Sequence, residues 1–169
     1  MYTIDVSLYD KPNPNRQNES LLIEEIESFG SWISQPGFSS SSVILILNNY
    51  TRFVRKMAYS PLEKFFPDYS PSKSEPETSV RQYIMRRLKS VNRQSLFFYS
   101  FWVDLDTSDN KQLYSALKST LSQIQERRIQ EETWYASRPT PEPDSPPKSS
   151  LSNVIRTYSQ KKKEVTELN

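Results

Sequence analysis

Ser42-Val-Ile-Leu-Ile-Leu-Asn-Asn49, followed by Tyr50-Thr-Arg-Phe-Val-Arg-Lys-Met-Ala-Tyr59, is the stretch on which the architecture turns. The unbroken apolar run Val43–Leu47 predicts a strand buried on both faces. Asparagine tolerates the left-handed conformation, so Asn48-Asn49 reads as a hairpin turn. Beyond it, Phe53, Met57 and Tyr59 alternate with Arg52, Val54, Lys56 and Ala58, which predicts a second strand with a half-wet face.

Towards the N-terminus, Tyr2, Ile4, Val6 and Leu8 alternate with polar residues and predict a strand that ends at Pro12. Asn18 is placed to cap a helix opening at Glu19, with Leu22, Ile26, Phe29 and Ile33 forming one apolar stripe. Pro36-Gly37 fits the two central positions of a type II turn. Towards the C-terminus, residues 60–75 form a Pro/Ser-rich irregular connection around Leu62, Phe65 and Phe66. Pro76 then suits a first helical position, and Val80, Ile84, Leu88 and Val91 supply the next stripe. Ser95–Asp104 carries five aromatic residues and predicts a strand. Ser108 can cap a last helix built on Leu113, Leu117, Leu121 and Ile124. The order β-α-β-β-α-β-α predicts a ferredoxin-like α+β sandwich with an added C-terminal helix. The expected compact domain covers 1–136. A Pro-rich linker at 137–150 and a tail at 151–169 follow it.

Composition removes several kinds of chemistry. The 169 residues contain no cysteine and no histidine, which excludes disulfides, thiol catalysis and the commonest general base. Two glycines, Gly30 and Gly37, cannot make the glycine-rich loops that cradle phosphates. No run approaches the roughly 18 apolar residues of a membrane helix. The N-terminus lacks the pattern of a secretory signal, so the expected location is intracellular, cytoplasmic or nuclear. No cofactor is indicated.

Charge is uneven although 22 basic residues nearly balance 20 acidic ones. Residues 50–93 hold ten basic and four acidic side chains, against two and six in residues 1–49. Internal complementarity between these segments is one reading of that split. The other is a binding patch of Arg52, Arg55, Lys56, Arg86, Lys89 and Arg93 beside aromatic platforms Phe97, Tyr99 and Phe101, a combination suited to single-stranded RNA. The same aromatics also suit core packing or a protein interface, including a homodimer. Asp5, Asp104 and Asp106, with Asp109, form a candidate Mg²⁺ site for phosphodiester hydrolysis; helix capping explains the cluster without a metal. In the tail, Leu151, Val154, Ile155 and Tyr158 have the spacing of a helix that docks in a partner's groove, and Lys161–Lys163 follow. Ser70-Pro-Ser-Lys73 and Ser145-Pro-Pro-Lys148 match proline-directed phosphorylation sites; Ser60-Pro61 and Thr140-Pro141 are looser versions. These features together predict a non-catalytic interaction or adaptor protein that binds another protein. RNA binding and a Mg²⁺-dependent nuclease are the alternatives.

Overall fold

Val43, Leu45, Ile46 and Leu47 are almost wholly buried, and the strand they belong to is the centre of a parallel sheet. The computed structural model describes residues 1–38, 41–72, 74–107 and 111–138. Strand β1 (Tyr2–Asp5) pairs in parallel with β4 (Ser42–Asn48), which pairs in parallel with β5 (Phe97–Trp102). Strands β2 (Pro12–Asn13) and β3 (Arg16–Ser20) form a separate antiparallel pair.

Parallel neighbours cannot be joined by a tight hairpin; they need a crossover, usually helical. That requirement corrects the expected hairpin at Asn48-Asn49. Asn49 does adopt the left-handed conformation, with φ 60°, but it opens helix α2 (Tyr50–Met57) instead of reversing a strand. Tyr50, Phe53, Val54 and Met57 recur at i, i+3, i+4 and i+7 and face the core, a helical stripe hidden by the alternation that suggested a strand. The ferredoxin-like expectation falls with it, because that fold needs an antiparallel pair in place of the parallel β4–β5 ladder.

The strand opening the chain is shorter than expected. Asp5 accepts a hydrogen bond from the Ser7 backbone N–H (2.9 Å) and turns Val6–Asp10 into a 3-10 helix. Helix α1 (Leu21–Ile33) starts after Ser20 and buries Leu22, Ile26, Phe29 and Ile33, as its stripe predicts. Helix α3 (Pro76–Ser90) has Pro76 in its first turn and buries Val80, Tyr83, Ile84 and Leu88. Gly37 takes φ 104°, which a type II turn requires.

The registers divide the sheet into two faces. Ile4, Val43, Leu45, Leu47, Phe98 and Trp102 join the core shared with α1, α2 and α3. Phe29 bridges the layers, with its ring centroid 5.1 Å from Tyr2 and 5.4 Å from Phe98. Each fully buried side chain of this kind contributes about 1.5–3 kcal/mol. The opposite face carries Ile44, Ile46, Phe97, Tyr99 and Phe101, and is not open. The guanidinium of Arg127, on helix α4 (Lys111–Ala136), lies 4.1 Å from the Phe97 ring centroid and 5.5 Å from that of Tyr99. Phe97, Tyr99 and Phe101 are thus each half-buried, with the Arg127 side chain lying against the first two.

The chain divides into two compact units, Met1–Arg127 and Arg128–Asn169. Within the second, Arg128 pairs with Glu132 at 3.0 Å and the Arg138 guanidinium stacks 3.6 Å from the Trp134 ring centroid. The expected tail residues Leu151, Val154, Ile155 and Tyr158, and Ser145, lie outside the described residues.

Candidate functional site

Parallel strands place their carboxyl ends together, and in open α/β sheets the ligand crevice lies there. In this chain β1 ends at Asp5, β4 at Asn48, and β5 leads into Val103 and Asp104. The Val103 N–H donates to Leu47 O (3.0 Å) and the Tyr50 N–H to Val103 O (3.3 Å), so the backbone stays paired past the ladder. Side chains then lace the three ends together. Asn49 Nδ2 donates to Asp5 Oδ2 (2.7 Å), and Asn48 Oδ1 accepts from the Leu105 N–H (2.8 Å). The Thr51 N–H reaches Asp104 Oδ1 and Oδ2 at 3.0 and 3.2 Å, and its hydroxyl donates to Oδ2 at 2.5 Å.

A cation and two rings stand at the same edge. Arg81 of α3 donates from Nε to the Tyr50 hydroxyl (2.8 Å), which donates to Glu77 Oε2 (3.1 Å). The Arg81 guanidinium lies 4.3 Å from the Tyr50 ring centroid and 5.6 Å from that of Trp102. Burial raises the Tyr50 phenol above its ordinary value, while the bond and charge of Arg81 oppose that rise. The first turns of α2 and α3 are thereby tied to the end of β5.

The residues singled out in the sequence scatter around this edge. Asp5 and Asp104 reach it, but each carboxylate is taken by donors of the chain, and Asp106 is exposed. Among the described residues no three acidic groups stand close enough to hold a metal ion. Arg52 and Arg55 are exposed on α2, and Arg86, Lys89 and Arg93 are exposed at α3 and just beyond it. Lys56 is not a surface cation at all: it is buried, paired with Asp10 and bonded to Ser7 O at 2.7 Å. Lys56 therefore drops out of the expected basic patch. Sequence reasoning gives Asn48 and Asn49 only a turn role, and gives Thr51 and Arg81 none. For Asn48, Asn49 and Thr51 the signal is the Asn-Asn pair closing a doubly buried strand, which marks the carboxyl end of a parallel strand once the hairpin is set aside; Arg81 has no such signal.

The model of the G-protein alpha subunit family matches residues 1–121. The chain belongs to the G-protein alpha subunit family. It is 32% identical over 122 residues to a guanine nucleotide-binding protein alpha-2 subunit of Kluyveromyces lactis, covering 72% of this chain and 22% of that protein. An alpha-2 subunit of Schizosaccharomyces pombe is 34% identical over 122 residues (70% of this chain, 33% of the relative). An alpha-3 subunit of Neurospora crassa is 33% identical over 118 residues (69% and 31%). The chain thus spans between about a fifth and a third of the length of these relatives.

Membership corrects the functional expectations. G-alpha proteins are GTPases, which overturns the non-catalytic adaptor, the RNA-binding protein and the Mg²⁺-dependent nuclease alike. The parallel sheet with helices is the Ras-like GTPase type of fold, in keeping with the family. Nothing in the family match supports the expected homodimer or an RNA partner. Among the described residues, no helix of this G-alpha chain is long and apolar enough to cross a membrane.

Proposed function

We propose that this chain acts in guanine-nucleotide-dependent signalling and that the carboxyl edge of β1, β4 and β5 receives the base end of the nucleotide. The observation that carries this reading is the convergence of Asp5, Asn48, Asn49, Thr51 and Asp104 at the carboxyl ends of three parallel strands in a G-alpha chain. Guanine presents an N1–H and an N2 amino group, and carboxylate oxygens are the matching acceptors. Adenine has an acceptor at its N1 and rejects that pairing. Asp104 is the acceptor best placed to discriminate, once Thr51 releases it.

The phosphate end is a different matter. In this family the phosphates rest in a G-x-x-x-x-G-K-[ST] loop, with Mg²⁺ held by that loop's Ser/Thr and an Asp. The 169 residues contain no such motif, and no described group of acids fits a metal. GTP hydrolysis is proposed for the protein only where a phosphate loop is supplied alongside these residues. The relatives are named as subunits, and on that basis another protein is the proposed partner.

The test is titration of the purified chain with a fluorescent GDP analogue, followed by displacement with GTP, GDP and ATP. Displacement by guanine nucleotides alone, weakened at least about tenfold by Asp104→Asn, is the expected result. Absence of binding, or equal displacement by ATP, overturns the reading.

A further inference from the structure

Two Ser-Pro dipeptides lie within the described residues, and the fold treats them oppositely. At Ser60-Pro61 the backbone is locked. The Ser60 N–H donates to Lys56 O (2.8 Å), and its carbonyl accepts the hydroxyl of fully buried Tyr9 (2.5 Å). Pro61 leads directly into the short 3-10 helix Leu62–Lys64. A kinase that must draw this serine out as an extended strand would first have to break these bonds and expose Tyr9.

Ser70-Pro71 is presented differently. Ser70 is exposed, sits in an irregular stretch, and makes no hydrogen bond among the described residues. A residue before proline is steered to extended backbone, the form in which kinases take their substrates. The stretch is held at both sides. Tyr69 is buried with its ring centroid 5.0 Å from Tyr83, and the Ser72 N–H donates to Ser79 Oγ (3.3 Å) on α3. The sequence adds Lys73 three residues after the serine.

We propose that Ser70 is a phosphoacceptor for a proline-directed protein kinase. In that step Ser70 Oγ forms a bond to the γ-phosphorus of ATP. The bond from that phosphorus to the β–γ bridging oxygen breaks, ADP leaves, and the hydroxyl proton passes to the kinase's catalytic Asp. The product adds a charge of about −1.5 to −2 two residues from Asp68. Asp68 already accepts the Tyr83 hydroxyl (2.6 Å) and faces Arg87 at 3.6 Å, with Arg86 nearby. A phosphate two residues from Asp68 is thereby expected to compete with it for Arg87.

The experiment incubates the full chain with Mg-ATP and a proline-directed kinase and maps phosphate by peptide mass spectrometry. Wild type, Ser70→Ala, Pro71→Ala and Ser60→Ala are compared, native and after heat unfolding. In the native chain Ser70 is expected to be labelled at least about tenfold faster than Ser60, because Ser60 reacts only through local opening. Unfolding should close that gap, and Pro71→Ala should remove the Ser70 label while leaving the melting temperature in place. Equal native labelling of Ser60 and Ser70 overturns the proposal. So does labelling confined to Thr140 or Ser145.

Discussion

Thr51 holds both carboxylate oxygens of Asp104 with its backbone N–H and one of them with its hydroxyl, joining the first turn of α2 to the end of β5. The two residues are 53 positions apart, so the contact reports the crossover itself. Thr51→Val keeps the amide bonds and deletes the hydroxyl donor. Hydrogen bonds to charged groups contribute about 1.5–3 kcal/mol when sheltered, and this pair is solvent-exposed, so the expected loss is about 0.5–1 kcal/mol. A double-mutant cycle with Asp104→Asn should return a coupling of the same order. If the edge receives guanine as proposed, Thr51→Val also frees one accepting position on Asp104 Oδ2, and affinity for the GDP analogue should rise while stability falls. A cycle with zero coupling would dismiss the contact.

Lys56 and Asp10 form the most sheltered ion pair among the described residues, with side chains 8% and 14% exposed. The ammonium also lies 5.3 Å from the Tyr9 ring centroid and donates to Ser7 O. Removing one member of such a pair strands the other charge at a cost of about 3–5 kcal/mol, whereas replacing both by apolar groups restores much of it. Lys56→Met should therefore lower unfolding stability severely, and Lys56→Met with Asp10→Leu should recover most of the loss in urea melts. Equal stability of the single and double variants would show that the pair is not coupled.

Gly30 lies inside α1, where alanine would ordinarily be preferred by about 1 kcal/mol. A Cβ at this position would stand 2.8 Å from Val91 Cβ, closer than carbon atoms approach. Overpacking of this kind costs about 1–3 kcal/mol, enough to cancel the helical gain and exceed it. Gly30→Ala should destabilise the chain by up to about 2 kcal/mol. Val91→Ala leaves the closest atom in place and should not rescue it. Only Val91→Gly clears the contact, and thermal melts of the three combinations test that ordering.

The sequence made legible whatever burial pattern alone determines. The α1 stripe of Leu22, Ile26, Phe29 and Ile33 and the doubly buried β4 both stand in the structure as read. The error arose at Asn48–Tyr59, where two periods coexist. Phe53, Met57 and Tyr59 alternate, while Tyr50, Phe53, Val54 and Met57 recur helically. Burial of Phe53 and exposure of Tyr59 settle that choice, and neither is visible in one chain. β4 already carried the corrective signal, since burial on both faces is the mark of a parallel strand. Reading it so would have led to a helical crossover and placed Asn48, Asn49 and Thr51 at a carboxyl edge. The Thr51–Asp104 and Asn49–Asp5 contacts lie beyond such reasoning, because they depend on which strands become neighbours. Lys56 shows the same limit: its charge suggested a surface, and only the fold supplies the sheltered Asp10 opposite it.

Glu25 offers a test by pH. Burial on α1 raises its carboxyl above the ordinary value, and the charges of Asp5 and Glu24 push in the same direction. The folded chain therefore binds this proton more tightly than the unfolded chain does. Below the ordinary carboxyl range both states are protonated and the group imposes no penalty. As pH rises through that range to the raised folded value, the unfolded chain ionises first and wild type loses stability relative to a neutral variant. Glu25→Gln should consequently melt with wild type at about pH 3 and above it at pH 7, by a modest margin because solvent screens the half-buried group. Melting curves across that range decide the matter. A difference that is already full at pH 3 would assign the effect to packing of the amide and not to the charge.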